Sequence, residues 1–188
     1  MSQSFLNIRV AALAMAVALS GAAQANIVTN GDFETGSFSG WTQFGNTGAT
    51  GVTGGYAHSG SFGGQFGAVG SAGGIFQTLV TVVGQTYDIS FWLRADSGTP
   101  NTFAFNWDGG ADELVFSNSP GFAYQQFTYA LTATSATTDL RFAIRHDPAY
   151  YGVDDVVVTA RVPEPMSLAL VAVALVGAGA ASRKKRAA

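Results

Sequence analysis

The strongest signal along the chain is alternation. In TYDISFWLRAD, residues 86–96, Tyr87, Ile89, Phe91 and Leu93 fall on one side, and Asp88, Ser90, Trp92 and Arg94 on the other. A period of two marks a strand with one buried face. AYQQFTYALTAT puts Phe127, Tyr129 and Leu131 on one face. DLRFAIRHD puts Leu140, Phe142 and Ile144 inward and Arg141, Ala143 and Arg145 outward. TFAFNWDGG groups Phe103, Phe105 and Trp107 and ends in an Asp-Gly turn signal. NIVTNGDFETG opens the series, GGIFQTLVTV follows a Gly-rich stretch, and VDDVVVTA closes it. No convincing helical period occurs between residues 26 and 160. Six or more half-buried strands without helices predict an all-β domain of two sheets packed face to face. Residues 42–74, rich in Gly, Ser and Thr, read as long loops with one or two short strands around Phe62, Phe66 and Val69. Trp41 and Trp107 are expected in the core.

The two ends follow other patterns. MSQSFLNIRVAALAMAVALSGAAQA has one positive charge, Arg9, before an apolar stretch from Val10 to Leu19. That stretch is too short to span a bilayer, and Ala23-Gln24-Ala25 fits a cleavage site. Residues 1–25 are therefore expected to be a signal peptide, with the mature chain starting at Asn26. Near the other end, Met166 to Ala181 is almost wholly apolar and is followed by Arg183, Lys184, Lys185 and Arg186. This predicts a transmembrane helix whose basic tail stays cytoplasmic. Pro163 and Pro165 impose an extended approach to it.

Val162-Pro163-Glu164-Pro165, the apolar helix and the basic tail together resemble the PEP-CTERM sorting signal, over roughly the last 27 residues. The resemblance implies a transient partner, an exosortase, that processes the tail near the Pro-Glu-Pro motif. Carriers of this signal are exported proteins of Gram-negative bacteria that make extracellular polysaccharide. An inner-membrane intermediate is expected, then residence at the cell surface or in the extracellular matrix. The domain organisation is thus 1–25 signal peptide, 26–160 β-sandwich and 161–188 sorting signal.

Charge narrows the partners. Charged residues make up 11% of the chain, against roughly 25% in an average soluble domain. Between residues 26 and 160, three bases (Arg94, Arg141, Arg145) face eleven acids, a net charge of −8. Such a body repels nucleic acid, which needs clustered Lys and Arg, and suits a divalent cation. With no cysteine, disulfides and thiolate chemistry are excluded. Catalysis finds little support. His146-Asp147 suggests an acid–base pair, but sequence neighbours in a loop need not touch; no Ser sits in a nucleophile elbow, and no two histidines have zinc spacing. The expectation is a protein that is not an enzyme.

Several motifs of the body resemble the jelly-roll carbohydrate-binding modules with a galactose-binding-like fold. They are Asn30-Gly31-Asp32-Phe33-Glu34 with Gly40-Trp41, then Tyr56-Ala57-His58-Ser59-Gly60-Ser61, then Gly84-Gln85-Thr86-Tyr87 before Ser90-Phe91-Trp92, and finally Asp154-Asp155-Val156. The resemblance implies a jelly-roll β-sandwich and one structural Ca2+, with Glu34 and Asp154 as carboxylate ligands and carbonyls near Asp32 completing the shell. Calcium takes six to eight hard oxygens. Strand parity sends Asp154 and Asp155 to opposite faces, so one of them reaches a given ion, and Asp154 is favoured. The competing reading makes Asp32, Glu34 and Asp155 turn and cap residues in water.

A sugar site needs aromatic platforms and planar polar groups. Trp92 is the leading platform. Arg94, Asn106, Arg141 and Arg145 fall on outward faces, and Tyr150 and Tyr151 in a loop. Against this stands a Trp covered by a loop and Arg residues that only solvate a sheet. The leading expectation is a non-catalytic protein that binds or organises extracellular polysaccharide. The alternatives are a purely structural surface protein without a glycan site and, less favoured, a secreted hydrolase.

Overall fold

Among the described residues, ten strands in two antiparallel sheets make up a jelly-roll sandwich. They are β1 (Thr42–Gly45), β2 (Thr50–Thr53), β3 (Gly63–Phe66), β4 (Gly73–Val80), β5 (Thr86–Ala95), β6 (Asn101–Trp107), β7 (Asp112–Ser117), β8 (Phe122–Thr132), β9 (Thr137–His146) and β10 (Tyr151–Ala160). The first sheet has the order β1-β4-β9-β6-β7 and the second β2-β3-β10-β5-β8. From β7 onward each connection crosses from one sheet to the other. This computed structural model describes residues 24–147 and 149–162. Most of the expected signal peptide, with Ala23, and most of the expected sorting signal, with Pro163, Glu164, Pro165 and Arg183 to Arg186, fall outside the described residues.

Alternation places the core where expected. Along β5, Tyr87, Ile89, Phe91, Leu93 and Ala95 are buried, while the residues between them are half-exposed. On β9, Leu140, Phe142 and Ile144 are buried, with Arg141 exposed between them. Phe142 sits at the centre, its ring 5.0 Å from Phe91, 5.6 Å from Phe105, 6.0 Å from Phe103 and 6.1 Å from Trp41. Phe91 and Phe142 come from opposite sheets, so these rings join the two layers. Trp41 and Trp107 are buried, as expected.

Three elements differ from expectation. NIVTNGDFETG is not a strand: Asn30 and Phe33 take left-handed backbone (φ 52° and 54°), and turns replace the ladder. The segment is nonetheless laced to β10. The Asn26 carboxamide donates to Val156 O (3.2 Å) and accepts from Val158 N (2.9 Å), Ile27 N donates to Val158 O, and Val156 N donates to Gly31 O. β7 is an edge strand with Leu114 and Phe116 half-buried; its acidic start hides its short alternation. Residues 42–74 hold three short strands, where one or two were expected.

A fourth difference is a bulge. The pairing of β10 with β5 shifts between Asp154 and Val157, and Asp155 takes left-handed backbone (φ 49°). An extra residue cancels strand parity locally, so Asp154 and Asp155 both reach the same loop.

Candidate functional site

The outward faces of the two sheets carry different chemistry. On the first sheet, the pairing aligns Thr42, Phe76, Arg141, Asn106 and Asp112 in one row across all five strands. The adjacent row is Phe44, Gly74, Ala143, Ala104 and Val115. Its three central members have little or no side chain, so a shallow trough crosses the sheet between Phe44 and Val115. Five strands at about 4.8 Å spacing give it a length of roughly 19 Å. Gly74 is obligatory in this floor, since a Cβ there would lie 1.9 Å from the Phe142 carbonyl oxygen.

Arg141 stands over this trough, its guanidinium carbon 4.0 Å from the centre of the Phe44 ring. Phe44 and Phe76 are 6.3 Å apart. Together with Asp139, these residues line a small hollow of about 180 Å³. Asp139 Oδ1 accepts a hydrogen bond from Thr78 Oγ1 at 2.6 Å. Among the described residues Arg141 has no carboxylate within ion-pair distance. Its N–H donors and an aromatic face are thus presented together, the pairing that a sugar's hydroxyls and apolar ring face require.

The other two residues expected to face outward on this sheet are already occupied. Asn106 is buried, donating to Gly110 O and Ala111 O and accepting from Gly109 N; it ties the β6–β7 turn and is not a free glycan ligand. Arg145 holds Asp147 through two bonds of 2.7 and 2.6 Å. That pair, with a bond from Gly70 N, keeps the Asp147 carboxyl well below the usual carboxylate range.

The outward face of the second sheet carries Trp92 as parity predicts, but His58 lies flat on its ring at 3.8 Å, with the planes 15° apart. His58 is fixed there by Asp155 Oδ2 on its Nδ1 (2.7 Å), and Ser59 Oγ donates to Asp155 Oδ1 (2.7 Å). Beside it, Arg94 pairs with Asp96 (2.6 Å) and lies 4.7 Å above the Tyr56 ring. Tyr56 also donates to Asp96, and Tyr124 donates to the Tyr56 carbonyl. Burial, reinforced for Tyr56 by Asp96, pushes both phenols well above their ordinary range. Gly152 makes room for this group, since a Cβ there would lie 2.7 Å from Arg94 Cγ and from Tyr124 Oη. Each of these polar groups satisfies another, and their joint effect is to fasten residues 54–62 onto the sheet. Tyr150 packs edge-on against Tyr56 at 5.8 Å. Tyr151 belongs to β10 and is fully buried, with its hydroxyl on Asn101 Oδ1 (2.8 Å), so it cannot meet a glycan.

Residues 25–149, more than half of the chain, match the family described as carbohydrate binding domain. The chain belongs to this family. No curated protein matches it. Among solved structures, this carbohydrate-binding domain is similar to TmCBM61 in complex with beta-1,4-galactotriose (TM-score 0.59, 18% identity, covering 73% of this chain and 99% of that one). It is also similar to the CBM22-1 xylan-binding domain from Paenibacillus barcinonensis Xyn10C (TM-score 0.52, 21% identity, 74% and 97% covered). A further likeness is to the enzymatically active domain of bacteriophage CBA120 tailspike protein 4 (TM-score 0.54, 17% identity), where 72% of this chain matches 21% of the longer one. At these identities the likeness is one of fold.

The acids expected around calcium make backbone hydrogen bonds. Asp154 is fully buried; its Oδ2 accepts from His58 N (2.7 Å) and Ser59 N (3.2 Å), and its Oδ1 from Asp155 N (2.8 Å). Burial raises its carboxyl to about 6 against those bonds. Glu34 Oε1 accepts from Ser61 N (2.8 Å) and Phe62 N (2.9 Å), and Asp32 Oδ1 from Glu34 N (3.3 Å). Glu34, Asp154 and Asp155 thus converge on residues 58–62. Among the described residues, no group of three or more His, Asp or Glu is placed to hold a metal ion.

Sequence reasoning missed Phe44, Phe76, His58, Tyr56 and Tyr124. Phe76 had a usable signal: with Ile75, Gln77 and Leu79 inward, it must face out. The stack of His58 on Trp92 joins residues far apart in sequence and had none.

Proposed function

We propose that this domain binds a polysaccharide chain, without cleaving it, along the trough on the first sheet. The observation that supports this reading is Arg141 on the Phe44 ring, beside Phe76, over a floor of Gly74, Ala143 and Ala104. The Trp92 platform is the weaker candidate because His58 takes one of its faces. The setting is an exported protein, held at the inner membrane by its tail, processed by an exosortase and released to the cell surface or matrix, where it organises extracellular polysaccharide.

Binding to β-1,4-galactan and xylan, measured by affinity electrophoresis and calorimetry, tests the site. Arg141→Ala should weaken binding about 10- to 100-fold, the loss of one charged hydrogen-bonding partner. Phe76→Ala should weaken it as well; Arg141→Ala should unfold close to the unsubstituted protein, as exposed substitutions do, and Phe76→Ala, which removes a half-buried ring, somewhat earlier. Trp92→Ala should leave binding intact. Loss of binding in Trp92→Ala with Arg141→Ala unaffected would move the site to the second sheet.

The calcium ion is a separate proposal. To bind Glu34 and Asp154 it must displace N–H groups of His58, Ser59, Ser61 and Phe62 from their carboxylates. Calcium at about 100-fold over its Kd would add roughly 2.7 kcal/mol. Tm should then rise with calcium and fall with chelator in the unsubstituted protein, but not in Glu34→Ala. A melting curve that neither moves would leave these acids as hydrogen-bond acceptors only.

A further inference from the structure

The turn between β4 and β5 exposes three valines at one pole of the sandwich: Val80 is 82% exposed, Val82 66% and Val83 64%. Residues 80–85, Val-Thr-Val-Val-Gly-Gln, carry no charge. The turn is held rigidly. Thr81 N donates to Ala136 O, Val82 N to Tyr87 Oη, Gly84 N to Ala133 O, and Gln85 N to Val82 O. Exposed apolar side chains on a fixed turn mark an interaction surface more than a defect of packing.

The path of the chain identifies the partner. β10 ends beside this turn: Arg161 N donates to Thr86 O (2.8 Å), and Gln85 Nε2 donates to Arg161 O (2.7 Å). Only four Cα-to-Cα steps separate Val162 from Met166, where the apolar run begins. Fully extended, they reach about 14 Å. A domain leashed so closely to a membrane helix must hold this pole against the lipid. The Arg161–Asp88 ion pair at the same place is internally neutral, so apolar burial outweighs charge there.

We infer that the Val80–Val83 turn is a lipid-contacting foot, resting on the bilayer beside the C-terminal anchor. This rests on the membrane-anchor reading proposed above. Its consequence is that Pro163, Glu164 and Pro165 are kept at the membrane surface, within reach of a membrane-embedded processing enzyme.

The absence of cysteine makes the test clean. Val82→Cys, and Ser71→Cys as control, are labelled with an environment-sensitive fluorophore on the full chain and reconstituted in phosphatidylcholine vesicles. Ser71 precedes β4 at the opposite pole, one strand length or about 26 Å away. Flotation with the vesicles reports the anchor, and quenching by spin-labelled lipid reports the foot. The label at position 82 should shift to the blue and lose most of its fluorescence to the quencher, while that at 71 should be unaffected. Val83→Asp in the Val82→Cys background should restore the fluorescence. Flotation without quenching at 82, or equal quenching at both positions, overturns the foot and leaves the anchor standing. A blue shift without vesicles, meaning self-association through the valines, also overturns it. Failure to float removes the anchor reading and the foot with it.

Discussion

Asp154→Ala should destabilise the fold by about 3–5 kcal/mol, a large part of the roughly 5–15 kcal/mol that a domain of this kind has. Three backbone N–H groups, of His58, Ser59 and Asp155, converge on this fully buried carboxylate. Alanine orphans all of them, and each buried unsatisfied donor costs about 1–3 kcal/mol, less whatever water recovers. The loop from Tyr56 to Phe62 would lose its two backbone tethers to β10 and be left with the side-chain bonds of His58 and Ser59 to Asp155, so the stack of His58 on Trp92 would loosen. Urea unfolding followed by tryptophan fluorescence reads both effects. A cost under about 1 kcal/mol would mean that the loop holds itself.

The same side chain predicts a dependence on pH. Its folded carboxyl titrates near 6 because of burial, whereas an unfolded Asp titrates near 3.9. Between these values the folded chain keeps a proton that the unfolded chain has lost. The stabilisation is therefore complete below about pH 4 and is lost as the pH rises to 6 and beyond, by up to about 3 kcal/mol. Asp147 acts in the opposite sense at lower pH: Arg145 holds its carboxyl down, so its contribution is present above the ordinary carboxylate range and lost as the pH falls. The difference between the unsubstituted protein and Asp154→Asn isolates the first effect. It should slope between pH 4 and 6 and be flat above pH 7.

Phe142→Ala should cost about 3–5 kcal/mol, as truncation of a fully buried phenylalanine does. Its ring meets Trp41, Phe91, Phe103 and Phe105, so the cavity would open between the layers with rigid rings on every side. Such walls relax poorly, which places the cost toward the upper end. Phe142→Leu should recover more than half of the loss. Binding to polysaccharide should also weaken in Phe142→Ala, because Arg141 and Ala143 flank it on β9 and form the trough on the strand's other face. Equal stability of the Ala variant and the unsubstituted protein would show that the two sheets do not depend on this contact.

Alternation was enough to find β5, β8 and β9, because one buried face imposes a period of two whatever the neighbours are. It also put Trp92, Arg141 and Arg145 outside. A period of two states that a residue faces out, however, and not from which sheet. Trp92 and Arg94 look out from the second sheet, and Arg141 and Arg145 from the first, where Asn106 is buried under its own turn, so one imagined site became two surfaces. Where backbone geometry is irregular, parity fails. The bulge turned Asp155 toward the same loop as Asp154. The left-handed residues Asn30 and Phe33 turned an apparent opening strand into a series of turns while still burying Phe33. Tyr151 looked like loop because the strand boundary falls between it and Tyr150. The trough floor could not be read at all, since Gly74, Ala143 and Ala104 become neighbours only through strand order.

That strand order also sets a schedule. β10, the last strand in the chain, lies in the middle of the second sheet between β3 and β5, and Asn26 is bonded to its residues 156 and 158, some 130 positions away. Loop closure over such distances is slow, and nothing local rewards it in advance. Until residues 151–160 arrive, β3 and β5 have no partner between them, and the opening segment has nothing to lie against. The domain cannot finish folding before residue 160 is available; a chain cut short of its last strand would stay open, and the full one closes in a single late step.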